Sequence, residues 1–318
     1  MIKIILSFFF LFSVNAFSQD MLPDVVYELS HRNPIHSVIF FPVKDTFFFK
    51  LSTEMSTQNL AWVETVGDEE KKSTRTGVNQ YIAYGISNRL TLFTQSFYQI
   101  GNKEEFSFTS GTETEMKSSG MSEVAIGLRW RAFRQPTYKF YIDLEYLIAP
   151  EQGKGKRPGV GVKGNNLRGG SMQSFGIDFA RQFSHFEYKI FGKYKMYGDY
   201  EEVDEAFALY EGEAYNEILL GIVAQYESFH DSFIQLGYSY SKFDENKKNV
   251  STYLESLDNF HRVWLKVGSH FYQDQFAFSL GVYADMVKGA METGGNEFES
   301  KGSLTGLQFE LMINNLFN

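Results

Sequence analysis

Three groups of residues in this 318-residue chain are of types that do chemistry: charges recurring at every second position, a basic run among glycines, and a few scattered histidines. Arg129, Arg131, Asp143, Glu145, Lys193, Lys195, Glu217, Arg262 and Lys266 each stand on the polar side of a segment that alternates polar and apolar residues. Lys139, Asp178, Glu187, Lys189, His270, Asp285 and Glu310 share that parity. Opposite charges so placed pair across neighbouring strands, each pair contributing roughly 0.2–1 kcal/mol. Lining a pore, the same groups select among solutes. A symmetric turn about Pro136 sets Arg129 opposite Asp143, and Lys193 and Lys195 have Glu217 across the next connection. The basic run is Lys154, Lys156, Arg157, Lys163 and Arg168, accompanied only by Glu151. The next long connection is acidic, with Asp199, Glu201, Glu202, Asp204, Glu205, Glu211 and Glu213. The basic loop can fold inward as an anion-attracting constriction or pair with the acidic loop beside it.

Catalytic constellations are weak by comparison. A serine nucleophile needs a base at about 2.6–3.2 Å. His230-Asp231-Ser232 has the His-x-Ser spacing but falls in a short turn, and His261 is followed two residues later by Val263. Asp143 and Glu145, next to arginines on one strand face, read as salt-bridge partners rather than as an acid–base pair. His31 and His36 are five apart and have no third ligand nearby, His270 stands alone, and there is no His-Glu-x-x-His. Gly-Lys followed by Ser or Thr is missing, which excludes a P-loop. The chain has no cysteine, hence no disulfide or thiolate chemistry, and its net charge of −9 argues against a nucleic-acid partner. The expectation is a protein that is not an enzyme and uses no cofactor or metal.

The elements that must carry the lumen charges are strands. In 121–149, Val124, Ile126, Leu128 and Trp130 share one face, then Tyr138, Phe140, Ile142, Leu144, Tyr146 and Ile148, with charged residues between them. Period-two alternation over about ten residues is the length and pattern of a tilted strand crossing a bilayer. The same plan predicts strands near 46–56, 78–87, 89–100, 121–133, 138–149, 172–183, 186–198, 214–226, 232–243, 260–272, 275–287 and 303–317. Short turns such as Ser87-Asn88, Ser184-His185 and Gln273-Asp274 alternate with long polar stretches at 57–77, 101–120, 150–171, 199–213, 244–259 and 288–302. That asymmetry predicts an all-β fold: a transmembrane antiparallel up-and-down β-barrel of about twelve strands, with short periplasmic turns and long extracellular loops.

Residues 1–18 have the form of an export signal, with Lys3, a short apolar stretch, and Ala16-Phe17-Ser18 placing cleavage after Ser18 or after Ala16. Residues 19–45 carry Pro23, Pro34 and Pro42 and read as a periplasmic segment or partial plug, with a short strand possible at 38–41; 46–318 form the barrel. In a membrane barrel the apolar face meets lipid and the polar face the lumen. Outer-membrane lipid and lipopolysaccharide are therefore expected partners, the basic loop being one place where lipopolysaccharide phosphates would rest. Arg181 and Lys242 break the outward parity, but only near strand ends. Inward Tyr141, Phe191, Tyr197, Trp264 and Tyr283 are expected to narrow the lumen.

Leu307, Phe309, Leu311, Ile313 and Phe317 share one face of the last strand, with Phe317 penultimate before Asn318. A terminal aromatic of this kind resembles the signal read by the barrel-assembly machinery. The phrase Tyr84-Gly85-Ile86-Ser87-Asn88-Arg89-Leu90-Thr91-Leu92-Phe93 resembles the tyrosine-glycine-leucine … asparagine-arginine-leucine hairpin of an outer-membrane family associated with the meta-pathway of phenol degradation. The resemblance covers this hairpin and its barrel setting, and implies a passive channel for a small hydrophobic or aromatic solute. A closed structural barrel, whose loops contact partners or glycans, is the alternative. A lipid-modifying enzyme like outer-membrane phospholipase A, which carries a His-x-Ser motif, is the third.

Overall fold

The computed structural model describes residues 37–38, 40–63, 68–107, 113–135, 139–156, 163–203, 209–228, 231–244, 253–271, 275–293 and 296–314. The export signal, most of 19–45, His31, His36, Arg157, His230 and Phe317 lie outside them. The alternating segments form β1 (Phe47–Val63), β2 (Asp68–Ser87), β3 (Leu90–Ser107), β4 (Glu113–Met121), β5 (Ala125–Gln135), β6 (Phe140–Ala149), β7 (Gly155–Lys156), β8 (Gly170–Phe183), β9 (Phe186–Val203), β10 (Leu209–Gly212), β11 (Tyr215–Glu227), β12 (Ser232–Phe243), β13 (Tyr253–Phe271), β14 (Phe276–Thr293) and β15 (Asn296–Asn314). Among the described residues, β1, β2, β3, β5, β6, β8, β9, β11, β12, β13, β14 and β15 pair in that order. β15 returns to β1, closing a twelve-stranded antiparallel barrel. β4 and β5 occupy one place in the ring: β3 pairs with β5 over 90–95 and with β4 over 98–107. The expected strand 121–133 is thus interrupted at 122–124. β7 and β10 both pair with the outer end of β9. Residues 38, 40 and 41 are not strand.

Parity decides which face meets which solvent. Outward residues such as Leu128, Ile177, Leu220, Leu280, Val282 and Phe309 are exposed, while inward Ser52, Arg131, Asp143, Glu187, Glu217, Asp285 and Glu310 are buried. Leaving Leu- or Phe-sized side chains in water forgoes about 1.5–3 kcal/mol apiece. A surface built this way throughout is made for lipid. Among the described residues, the four non-glycine residues with positive φ, Asp45, Lys139, Ser184 and Asp231, all sit at the short-turn end. Lys139 therefore belongs to a turn, not to the lumen wall as its parity predicts. Arg181 lies outward near that rim, its guanidinium 4.1 Å from the centre of the Phe183 ring.

Strands on one side run well past the apolar belt. Pairing continues to Trp62↔Ser300, Val63↔Asp68, Ser107↔Glu113 and Tyr253↔Thr293. Most of the expected loops 57–77, 101–120 and 288–302 are consequently strand. Above the membrane both faces of a hairpin are wet, so period-two alternation disappears while the hydrogen-bonded ladder continues. β5, β6, β11 and β12, of 11, 10, 13 and 12 residues, have no such extension. The barrel thus has a tall wall and a low wall. One register also differs from expectation. A bulge between Arg131 and Phe133 places Arg131, not Arg129, opposite Asp143, and Arg129 opposite Glu145.

Candidate solute pathway

The inward charges form a continuous set of pairs. Asp143 accepts from Arg129 Nη2 at 2.6 Å and from Arg131 Nε at 2.8 Å. Asp178 lies 3.5 Å from both Arg129 and Lys189. Lys193 donates to Glu145 at 2.5 Å, so it does not share Glu217 with Lys195 as its spacing suggests. Glu217 accepts from Lys195 at 2.9 Å, Tyr197 at 2.8 Å and Ser241 at 2.9 Å. Arg262 makes a two-pronged contact with Asp285, both distances 2.7 Å. Glu310 is held by Lys50 at 2.7 Å and Lys266 at 3.0 Å. His270 is not alone: its Nε2 lies 3.2 Å from Glu227.

In these lysine and arginine pairs the acid is less exposed than the base, except for Arg129 and Asp178, which are equally covered. Asp285 and Glu310 are 0% and 5% exposed at the side chain, while their partners Arg262 and Lys50 are 36% and 34%. The cause is reach: a short carboxylate stays at the wall, while a longer cation extends over it toward the axis. The open surface of the lumen is therefore richer in cationic groups than the sequence count suggests.

Aromatic side chains line the same space without blocking it. Phe191, Trp264, Tyr283, Phe93 and Phe233 are paired across strands with Gly221, Gly237, Gly306, Gly127 and Gly268. A Cβ at Gly237 or Gly221 would lie only 2.0 or 2.2 Å from the Trp264 or Phe191 ring. The rings occupy the volume that the glycines leave empty, so they lie against the wall. Phe191, Trp264 and Tyr283 narrow the lumen less than their size suggests, because their glycine partners are visible only once the register is known.

Residues 37–38 and 40–46 lie inside the barrel at its short-turn end, like a floor. Ser37 Oγ and Val38 N donate to Glu187 at 2.5 and 3.2 Å. Phe40 packs 4.9 Å from Phe48 and its carbonyl accepts from Arg129 at 3.4 Å. Phe41 is buried, 4.5 Å from the Arg131 guanidinium, which also lies 4.5 Å from Tyr141. The segment is tied to the β2–β3 turn by Asp45 N to Gly85 O at 2.8 Å and Gly85 N to Thr46 O at 3.0 Å. Gly85 is required there, since any Cβ would meet the Val43 carbonyl oxygen at 1.9 Å. Above the floor lies a cavity of about 530 Å³, bordered by Phe40, Pro42, Lys50, Tyr81, Arg129, Lys189, Lys193, Phe191, Trp264 and Lys266. A second cavity, of about 340 Å³, is bordered by Gln95, Phe97, Glu123, Arg168, Met172 and Tyr197. Tyr81 borders both, stacked 5.2 Å from Phe93. Neither Tyr81 nor Lys50 stands out in sequence: Tyr81 is set in a polar stretch and Lys50 follows a run of three phenylalanines.

The basic loop between β6 and β8 straps the outer side of the second cavity. It pairs with β9 through Gly155 and Lys156, then reaches β4, where Gly164 N donates to Lys117 O at 2.9 Å. Glu123, in the gap between β4 and β5, accepts from Arg168 N at 2.5 Å and Gly169 N at 3.0 Å. The Arg168 guanidinium bonds to Gly198 O and Ser171 O at 2.5 and 2.9 Å and lies 4.8 Å from the Tyr197 ring. Lys154 pairs with Glu201 of the acidic segment at 2.5 Å, and this carboxylate raises the lysine's pKa. Lys156 and Lys163 are exposed. Elsewhere, His261 lies on the outer face with Nδ1 2.8 Å from Tyr238 OH.

No protein-family model matches this sequence, and no curated protein is similar to it. Solved structures are. An outer membrane channel from Pseudomonas putida F1 superposes with a TM-score of 0.51 at 13% identity, covering 86% of this chain and 96% of its own. The chain has the fold of an outer-membrane barrel. A FadL homologue from Pseudomonas aeruginosa gives 0.48 at 10% identity, covering 86% and 91%. The toluene transporter TodX of P. putida gives 0.45 at 10%, again over 86% and 91%.

Proposed function

We propose that the protein is a passive outer-membrane channel for a small solute with an aromatic or apolar body, and that the lumen cations favour solutes that also carry an anionic group. The observation that carries this reading is the pair of cavities meeting at Tyr81, lined by aromatic rings folded onto glycines and by cations extended over buried carboxylates. Flat rings offer an apolar path, and Lys189, Lys193 and Lys266 offer fixed positive charge along it. The strap and the floor bound the route at its two ends. The outer membrane channel among the similar folds is compatible with a channel, and the resemblance of the 84–93 hairpin with such a solute.

The floor also favours a second reading, a closed barrel whose interior is filled by residues 37–46 and whose loops do the work. Conductance in a planar bilayer, with the protein refolded without residues 1–18, separates the two. A steady conductance with anion preference, lowered in Lys189→Gln/Lys193→Gln/Lys266→Gln, supports the channel. A folded barrel that stays silent, and stays silent after Phe40→Gly/Phe41→Gly loosens the floor, refutes it.

A further inference from the structure

The outer surface of the tall wall carries a feature that solute passage does not use. At the upper edge of the apolar belt, Val263, Ala284, Thr305, Thr57 and Thr74 follow one another across five strands in register. Ala284, Thr305, Thr57 and Thr74 make a run of small side chains bordered by larger ones at several positions. Met55, Leu307 and Val282 stand proud on the inner side of that row, and Met286 on the outer side, each at least half exposed. The result is an outward-facing, largely apolar groove of about 620 Å³, with Gly306 in its floor.

Polar groups lie just beyond it on the same strands. Two residues outward from Val263 is His261, paired with Tyr240 on β12 and Met286 on β14. Its ring is bonded through Nδ1 to Tyr238 and lies 4.8 Å from the Tyr240 ring, leaving Nε2 as the nitrogen for a ligand. Two residues farther, Lys242, Asn259, Lys288 and Lys301 occupy consecutive register positions on β12, β13, β14 and β15. Lys242 and Lys288 are exposed. At about 3.3 Å per residue along a strand, this basic row sits roughly 13 Å from the small row. The span runs from the hydrocarbon edge to the headgroup layer.

We infer that this face is a binding site for one phosphate-bearing membrane lipid of the outer leaflet. An acyl chain lies in the groove over Thr57, Ala284 and Thr305. The phosphate meets Lys242, Lys288 and the His261–Tyr238 pair. The groove alone would accept any hydrocarbon, and the basic row alone any anion. Their placement on three shared strands, β13, β14 and β15, selects a molecule that has both parts, and the lumen plays no part in it.

The test is native mass spectrometry of the full-length mature barrel in neutral detergent, titrated with diphosphorylated lipid A, dephosphorylated lipid A and inorganic phosphate. The expected result is one lipid retained per barrel, with at least tenfold weaker retention of the dephosphorylated form and no displacement by millimolar phosphate. Lys242→Gln/His261→Gln/Lys288→Gln and, separately, Ala284→Trp should each reduce retention at least tenfold, with heat-modifiable gel mobility showing that the barrels are folded. Equal retention of the two lipids by the unaltered protein overturns the inference without recourse to variants. So does displacement by inorganic phosphate, which marks a free-anion site, and so do folded variants that retain the lipid as the parent does.

Discussion

Two sets of basic side chains, one in the strap and one on the inner barrel wall, are held in opposite ways. In the strap, part of the conspicuous run of positive charge is spent on structure. Arg168 is fastened to Gly198 O, Ser171 O and the Tyr197 ring, and Lys154 to Glu201. In the barrel wall, by contrast, Arg262 and Lys50 keep about a third of their side-chain surface open while their carboxylate partners are buried. Part of the set that looks like a selectivity element in sequence fastens the strap, and part of the set that looks like bracing stays open to the lumen. Charge density along a chain does not reveal presentation; presentation follows from side-chain length and from what the register places behind each head group.

The largest effect that tests this contrast is on stability. Arg262→Ala strands the fully buried Asp285 carboxylate and should cost about 3 kcal/mol, the lower end for unpairing a buried charge. Urea unfolding in detergent measures it, and Arg262→Ala/Asp285→Ala should recover most of the loss. No recovery would mean that Arg262 acts through packing on Tyr283, 4.5 Å away, and not through the pair. Next is Gly237→Ala. Its Cβ must displace the Trp264 ring toward the axis, costing about 1–3 kcal/mol as overpacking and lowering single-channel conductance. An unchanged conductance would show that Trp264 does not border the conducting path. Third is charge itself. A unit charge at about 4 Å in a watery lumen contributes ~1 kcal/mol, roughly a fivefold preference. Lys189→Gln should lower the anion-to-cation permeability ratio by about that factor, and Lys156→Gln/Lys163→Gln should leave it within twofold. Reversal potentials in asymmetric salt measure both, and a larger effect from the loop pair would invert the comparison.

Much of this was legible in the sequence. Period-two alternation located the twelve strand positions, and parity alone placed Asp143, Glu217, Asp285 and Glu310 inside and Ile126, Leu128 and Phe309 outside. What escaped was whatever depends on register or on a loss of alternation. The hairpin pairs Gln135 with Phe140 rather than turning symmetrically about Pro136, and a one-residue bulge beside Ala132 then brings Arg131 opposite Asp143; Asp143 keeps its contact with Arg129 and gains Arg131, and nothing in the local residue types announces it. The seating of Trp264 on Gly237 joins β13 to β12, so neither residue signals it alone. The hairpin extensions were hidden because residues such as Lys103, Glu105 and Glu115 face water on both sides of the ladder, which erases the apolar stripe that marks a strand.

Those extensions give the smallest expected effect. Lys103 contacts Glu105 at 2.7 Å and Glu115 at 2.9 Å, and Lys117 contacts Glu115 at 2.6 Å. The Lys117 and Lys103 ammonium groups hold the Glu115 carboxyl below its ordinary value. A carboxylate whose pKa is depressed by folding contributes stability that is complete above its unfolded pKa and is lost as pH falls through the folded one. The β3–β4 tip should therefore hold from neutral pH down to the ordinary carboxylate range and loosen only in more acid solution. Because all these groups are exposed, the change in amide protection at 102–106 and 114–118, corrected for intrinsic exchange, should be no more than about fivefold. Glu115→Gln should abolish the part of it that tracks acidification. Loosening at neutral pH in that variant larger than the fall seen in acid would show that the ladder, which joins Glu115 to Glu105 across the hairpin, depends on the side chain for more than its charge.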